Sequence, residues 1–448
     1  LAPAALFMLL GAVALSVVPA VRVPGSALMS WAPLGLAVLW LAVALAGVAV
    51  LGRRLPGHDP VLFPLAMTLT GFGLLSIWRV LPEWGWRQAA WLVVAGATCL
   101  LTASWAPGLR WARRLRYTWL VSGLILTALT FVIGVDPSGT GARLWLGSLG
   151  IGVFLQPAEF LKLALALYVA AYLAERREVA MLNDTEGKTA PWPRLQDALP
   201  VLVMWLIAMA IVIAQRDLGT GMLLFGVFVA LVYLATGRAR NLVLGGLLAV
   251  LGGLVAYSAF GVVRARLSAW LDPWSDPSGG AFQIIQALIA LAAGDVFGRG
   301  LGLGNPALVP LAHSDFILTS IGEEFGLLGV VAVLSLHALL AARGLRIAWQ
   351  AERAFDQLLA AGLAALTAFQ TLLIVGGAVR ALPLTGVTLP FVSYGGSSLL
   401  VQFIAIGLLL AISANPRNGA AGRWPTAPRR RLAPSNEPAG EHSSGAAR

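Results

Sequence analysis

The stretch FILTSIGEEFGLLGVVAVLSLHALLAA, residues 316–342, decides the fold. It is longer than the roughly 20 apolar residues that carry a helix across a hydrocarbon core, and Glu323 and Glu324 are its only charged residues. The run reads as a membrane-spanning helix. Just before it stands LAHSD, residues 311–315, so a histidine, an aspartate and a glutamate pair crowd the point where the helix begins. Charge in hydrocarbon is costly and persists only where it is neutralised, caps backbone or takes part in function.

Outward from this run the same pattern repeats. The chain has 448 residues, 58% of them hydrophobic and 11% charged, where a soluble domain carries roughly 25% charged residues. Apolar runs predict helices near residues 4–21, 33–51, 61–80, 88–105, 117–134, 158–175, 198–214, 218–236, 241–261, 316–342, 356–379 and 391–413. Twelve spans make an all-α, polytopic membrane helical bundle and leave no separate soluble domain. The first run also has the ending of a secretory signal, at Val18, Pro19 and Ala20, but no basic region precedes it in this sequence.

The formal charge of +11 does not mark a nucleic-acid binder, because the basic residues lie in short connectors rather than on one patch. They sort by side. RR at 53–54, LRWARRLR at 109–116, the 175–197 loop, Arg238 with Arg240, the 343–353 loop and the tail hold 21 Lys and Arg, against 9 in the opposite connectors. The positive-inside rule makes the first set cytoplasmic and predicts that both termini are cytoplasmic. Three opposite connectors are more than turns: 135–157 and 380–390 are rich in Gly and Pro, and 262–315 is far longer than an ordinary loop. The tail from Asn415 has the composition of a disordered segment, with a basic run, PRRR at 428–431, that suits lipid head groups or plain solubilisation. The single cysteine, Cys99, excludes an intramolecular disulfide and a cysteine-based metal site.

Ser314 and Asp315 stand at a helix start, where such residues cap free N–H groups. Asp315, with His313 beside it, also suits a general base or a metal-binding carboxylate, and both uses are compatible. Glu323 and Glu324 follow about 12 Å further into the helix, where carboxylates face a bundle interior or a wet cavity. In FLQPAEFLKL, residues 154–163, Glu159 and Lys162 share one helix face. They form a structural ion pair, or Lys162 offers its charge to an anionic substrate, with Arg143 and Arg380 as further cations on the same side. GRGLGLGN, residues 298–305, permits close backbone approach, as a hinge or a phosphate cradle. LPFVSYGGSSLL, residues 389–400, puts Ser393, Gly395, Gly396 and Ser397 at a helix entrance, suited to donors aimed at an anion or to capping and packing. HExxH and P-loop motifs are absent, which speaks against zinc hydrolysis and nucleotide-driven work.

In order along the chain, QPAEFLKL, QRDLGTG, LDPWSDPSGGAFQIIQALIALAAGDVFGRGLG, HSDFILTSIGEEFGLLG and LPLTGVTLPFVSYGGSS resemble the SEDS family, the RodA and FtsW cell-wall polymerases. The resemblance spans residues 61–413 and leans to the RodA type through LPLTGVTLP and the helices ahead of it. It implies a peptidoglycan glycosyltransferase of the bacterial cytoplasmic membrane that polymerises lipid II into glycan strands at the outer face, for elongation or division. A class B penicillin-binding protein, a transpeptidase, is the implied partner. The implied organisation is a ten-helix SEDS-like core at 61–414, preceded by two extra N-terminal transmembrane helices at 1–60 and followed by the tail at 415–448.

The family's essential aspartate falls on Asp315 in HSDF, and its Glu and Lys fall on Glu159 and Lys162. Ala158, Ser314 and Arg216 stand where the family usually has Ser, Thr and Pro, and Arg216 leaves the local backbone open. Asp315 is then the catalytic residue, as a base or while helping to hold a divalent cation, Mg or Mn. Arg143, Glu159, Lys162, His313, Arg380, Ser393, Gly395, Gly396 and Ser397 are the expected substrate contacts. Two rival readings stand beside this one: a lipid-linked sugar flippase using the intramembrane charges, and a non-catalytic scaffold using the extra helices and tail.

Overall fold

A computed structural model of the chain describes residues 1–22, 31–105, 108–136, 143–148, 153–185 and 195–414. The expected tail from Asn415 with its basic run, and parts of the 135–157 and 175–197 connectors, lie outside the described residues.

Every expected apolar run contains a helix. In chain order the helices are α1 (Ala2–Arg22), α2 (Ala32–Arg54), α3 (Leu62–Val80), α4 (Pro82–Ser104), α5 (Gly108–Arg114), α6 (Arg116–Ile133), α7 (Pro157–Thr185) and α8 (Leu195–Ala214). They continue with α9 (Leu218–Thr236), α10 (Arg240–Ala259), α11 (Gly261–Leu271), α12 (Phe282–Gly294), α13 (Ile317–Gln350), α14 (Ala354–Ala378) and α15 (Gly396–Ser413). A small hairpin precedes α7, with β1 (Leu146–Ser148) antiparallel to β2 (Val153–Leu155) and Leu146 opposite Leu155. Helix is the form that satisfies backbone polar groups inside hydrocarbon. Among the described residues nine helices are long and apolar enough to cross a bilayer, and ten when α4 and the short α5 count together. The described apolar parts of α1 and α8, Ala2–Val18 and Ala198–Ala214, are shorter. The chain is a multi-pass membrane protein.

The bundle is built around α7, whose span is 94% buried. Its sequence LALALYVAAYLA alternates small and large residues, which lets α6, α9 and α14 approach closely. At the other extreme α10 is 6% buried, rests on α9 and α11, and otherwise faces lipid.

Two expectations are corrected. The 262–315 connector is not an extended loop, because most of α11, all of α12 and the 3-10 turns Pro273–Ser275 and Pro306–Leu308 lie in it. VVRARLSAWL and FQIIQALIALAA are too short to span, so apolar length alone conceals them. The last helix starts at Gly396 rather than at residue 391. The intervening residues are apolar because they are buried, not because they are helical: Phe391 is 3% exposed and takes φ 64°.

Helix α13 is broken at Gly326, which has φ 68° and ψ −167°. A side chain at Gly322 would meet Val330 at 3.3 Å, and one at Gly329 would meet Ile321 at 3.4 Å. Residues eight apart in a straight helix are separated by about 12 Å, so residues 317–325 fold back beside the rest of α13 as a half-helix. The loop after α12 satisfies the backbone groups this exposes. Leu327 and Leu328 donate to the Asp295 and Val296 carbonyls at 2.9 and 3.2 Å, while Arg299 and Gly300 donate to the Glu323 and Glu324 carbonyls at 2.9 and 3.0 Å. A Cβ at Gly298 would lie 2.3 Å from the Glu324 carbonyl oxygen, so the glycine run serves backbone contact rather than a hinge or a phosphate cradle.

The half-helix begins inside the bundle. The backbone of Phe391 and Val392 presses on Gly73, which lies seven residues before the end of α3, or about 10 Å below it. The Ser393 hydroxyl donates to the Ser314 carbonyl at 2.6 Å, which places Asp315 near this depth. Glu324, at the other end of the half-helix, pairs with Arg79 at 2.9 Å near the end of α3. Asp315 therefore stands deeper in the bundle, and Glu324 at the opposite end of the half-helix near the end of α3.

Candidate active site

Asp315 reaches its place through a tight turn rather than a helix cap. Ser314 and Phe316 both donate to the Leu311 carbonyl, at 3.0 and 3.2 Å, and Leu311 takes φ 56°. Phe316 is the N-cap of α13, with no side-chain capping bond. The expected capping role of Ser314 and Asp315 is thus absent, and the aspartate is left for other work. The 389–394 segment locks the turn, since Tyr394 donates to the His313 carbonyl at 2.8 Å and Ser393 accepts from the Leu389 N–H at 2.9 Å.

Two further residues complete the centre. A Cβ built at Gly386, which has φ 74°, would lie 3.8 Å from both Asp315 Oδ2 and the Arg266 guanidinium, so both side chains converge on this glycine. Arg266 is held there by bonds to the Leu384 and Thr385 carbonyls, each 3.3 Å. Asp217 caps α9 by accepting from the Thr220 N–H at 3.1 Å through Oδ1, while its buried Oδ2 has no partner among the described residues. Gly219 allows this end of α9 to meet the 385–387 backbone, because a Cβ there would lie 2.3 Å from the Thr385 carbonyl oxygen. Burial pushes the Asp315 carboxyl up to about 6 and nearby Asp217 adds to the rise, against the Ser314 hydroxyl bond and the Arg266 charge. As a residue Asp315 is half-buried rather than sealed.

Sequence reading missed Arg266 and Asp217. Asp217 carried a signal, since an Asp three residues before Thr220 at a helix start is a capping pattern. Arg266 carried little, because its helix was hidden in the long connector. Arg216 closes α8 with φ 62°, and Asp217 donates back to the Val212 carbonyl at 3.2 Å. Proline, fixed near −65°, cannot adopt that conformation, so the departure at Arg216 changes how α8 ends. Arg216 is exposed beside Asp217.

The other expected contacts fall into different roles. Glu159 and Lys162 are buried and paired at 2.7 Å, with Lys162 1% exposed, so Lys162 offers no open charge to a substrate. Arg380 is spent on α11, donating to the Trp270 and Leu271 carbonyls at 2.8 and 2.7 Å and so anchoring the helix that carries Arg266. The entrance of α15 is closed rather than open to an anion. Gly395 donates to Gln88 at 3.3 Å, Gly396 lies against the Trp91 ring, and Ser397 accepts from the Gln156 N–H at 2.9 Å. Ser393 is the tie between the two loops already described. His313 packs on Trp84, with ring centroids 4.5 Å apart, and burial lowers its pKa, so it stays neutral at pH 7. Arg143 is exposed at the foot of the β1–β2 hairpin. Among the described residues no three His, Cys, Asp or Glu side chains form a metal-holding group.

A cavity of about 1000 Å³ lies elsewhere. Leu100, Trp105, Trp111, Trp119, Leu163 and Ile404 line it toward the end of the bundle that carries Arg54. Its apolar walls suit lipid chains and not the chemistry of Asp315.

Comparison with known proteins gives one answer. Residues 82–418 match the family model of the FtsW, RodA and SpoVE proteins, described as cell cycle protein. The peptidoglycan glycosyltransferase RodA of Mycobacterium tuberculosis (strain ATCC 25618 / H37Rv) is 39% identical over 378 residues, covering 82% of this chain and 80% of the relative. The probable peptidoglycan glycosyltransferase FtsW of Geobacter sp. (strain M18) is 31% identical, covering 82% of this chain and all of the relative. A solved structure described as showing structural coordination of polymerization and crosslinking by a peptidoglycan synthase complex contains a chain 28% identical, with TM-score 0.58, covering 85% of this chain and 96% of that one. This chain belongs to the FtsW, RodA and SpoVE family of cell cycle proteins.

Proposed function

We propose that the protein is a peptidoglycan glycosyltransferase that polymerises lipid II, with Asp315 as its general base. The observation that carries this reading is a half-buried carboxylate free of capping duty, pushed toward neutrality, that converges with Arg266 on Gly386. A base with a pKa near working pH both holds its deprotonated form and accepts a proton well. An acceptor hydroxyl of one glycan attacks the anomeric carbon of the other, its proton passes to Asp315, and the bond from that carbon to the pyrophosphate oxygen breaks. The pyrophosphate leaves on its lipid. Arg266 and the exposed Arg216 and Arg143 supply positive charge to it. The Trp84, His313 and Tyr394 rings beside Asp315 offer apolar faces to a sugar.

A divalent cation fits this centre in part. Asp315 and the unpartnered Oδ2 of Asp217 are the residues that would hold it, and magnesium is commonly bound by one or two carboxylates with phosphate and water completing its shell. Such an ion supplies charge neutralisation for a leaving pyrophosphate.

Lysine and arginine distribution supports placing the Asp315 face outside and both termini in the cytoplasm. The higher identity to RodA than to FtsW supports a role in elongation, and the synthase complex supports a transpeptidase partner of the penicillin-binding class. A flippase reading loses its support here, since the intramembrane charges of α7 and α13 are engaged in fixed contacts. The test is polymerisation of lipid II by purified protein, with and without the cognate transpeptidase. Glycan strands from the wild type and a rate at least about a hundredfold lower from a folded Asp315→Asn variant are expected. Wild-type rates from that variant would overturn the assignment.

A further inference from the structure

The family match begins at residue 82, so α1, α2 and α3 all lie ahead of it. They are nonetheless packed onto the device that sets Asp315. Phe7 of α1 stacks on Phe72 of α3 at 4.2 Å between centroids and stands 5.9 Å from Phe325, and Phe72 stands 6.0 Å from Phe325. Phe325 is the last residue of the half-helix before the break at Gly326. Further along α1, a Cβ at Gly11 would lie 3.5 Å from Leu301, and one at Gly302 would lie 2.5 Å from Val18. Leu301 and Gly302 belong to the glycine loop whose N–H groups satisfy the Glu323 and Glu324 carbonyls. One face of α1, with Met8 and Ala12 buried, thus touches both strands of backbone that hold the break, while Leu10 and Val13 on the other face are 59% and 44% exposed.

We infer that α1 is a positioning element for the catalytic half-helix: Phe7 and Val18 clamp the Gly326 break and the 300–302 loop, and so fix the height and tilt of Asp315. Ordinary helix packing would stabilise the bundle without touching this joint. Here the contacts are on the break in α13 at Gly326 and on the loop that satisfies it. A small error in the position of a reacting group costs up to about a hundredfold in rate, so a clamp at this joint acts on turnover more than on stability. The inference rests on the proposed polymerase activity for its kinetic arm, but its structural arm does not.

The test uses full-length protein in detergent or nanodiscs with Phe7→Ala, Val18→Ala and the pair, Phe7→Leu as the conservative variant, and Leu10→Ala as the lipid-facing control. Backbone amide exchange is followed over residues 296–328, and lipid II polymerisation is measured alongside. In the pair, exchange at Arg299, Gly300, Leu327 and Leu328 is expected to rise about tenfold, and kcat to fall about tenfold with KM unchanged within twofold. Phe7→Leu restores most of both, and Leu10→Ala changes neither. Unchanged exchange at those four amides overturns the clamp. Faster exchange with wild-type kcat overturns the positioning role. If the wild type makes no glycan at all, the polymerase reading fails while the exchange result still decides whether α1 holds the joint.

Discussion

Asp315 and the Glu323–Glu324 pair stand on one short stretch of chain, yet they solve opposite problems. Glu324 is 3% exposed and bonds Arg79, which also donates to the Gly304 carbonyl at 2.8 Å. Glu323 is 4% exposed and accepts the Asn305 N–H at 2.8 Å. Both glutamates fasten the glycine loop to the broken helix. Asp315 is half-buried, caps nothing, and meets its arginine across a glycine rather than in a locked pair. In a membrane bundle, then, a carboxylate committed to fixed partners marks architecture. One that stays partly exposed, beside a charge to which it is not itself bonded, marks chemistry.

The sharpest way to break this contrast is to neutralise each acid in turn. Asp315→Asn should lower polymerisation by about a hundredfold to ten-thousandfold while leaving the melting temperature unchanged. A stable, fully active variant would remove the distinction. On the architectural side, Arg79→Met leaves Glu324 buried without its partner and should cost about 3 kcal/mol of stability, read as a lower melting temperature. Lys162→Met should do the same through Glu159. Removing both members, as Arg79→Met with Glu324→Gln, should recover most of the loss. A change in KM without a change in melting would instead return these residues to substrate binding.

The contrast also explains what could be read from sequence. Twelve apolar runs are visible because each is a local property of composition, and Asp315 stood out because an acidic residue at a helix entrance is rare in such a chain. The break at Gly326 was not visible. Gly322, Gly326 and Gly329 read as ordinary small residues in a long apolar run, and only the fold reveals why they are small: Leu291 of α12 presses on Gly322, the loop after α12 on Gly326, and the half-helix on Gly329. The same loop accounts for Glu323 and Glu324, whose partners Arg79 and Asn305 are distant in sequence or hidden in a connector. Phe391 and Val392 read as helix in the sequence because burial and helical apolarity look alike in one dimension. Arg266 was missed because its value comes from meeting Asp315 at Gly386, a contact between segments far apart in the chain.

A smaller effect tests the electrostatics of the site. As a general base Asp315 works only when deprotonated, so activity should be lost as pH falls through about 6 rather than through the usual carboxylate range near 4. Arg266 favours the charged carboxylate. Arg266→Met should therefore move the acid limb of the kcat/KM profile to higher pH by about one unit and lower the plateau by about tenfold. A limb that does not move would separate Arg266 from Asp315 and leave it as an anchor for the 384–385 backbone.

The smallest expected effect lies at Ser393, the tie between the 389–394 segment and the turn that carries Asp315. Its hydroxyl donates to the Ser314 carbonyl and accepts from the Leu389 N–H, and the residue is 4% exposed. Ser393→Ala removes both bonds and leaves a buried carbonyl and N–H unmatched, at a cost of about 1–3 kcal/mol. Because Ser314 adjoins Asp315, part of that loss should appear as slower turnover, whereas the same bond lost near Glu324 would appear only in stability. Ser393→Thr keeps the hydroxyl and should retain turnover if the pocket admits its methyl group. A lower melting temperature in Ser393→Ala with unaltered kcat would show that the tie supports the fold alone, and would move Ser393 to the architectural side of the comparison.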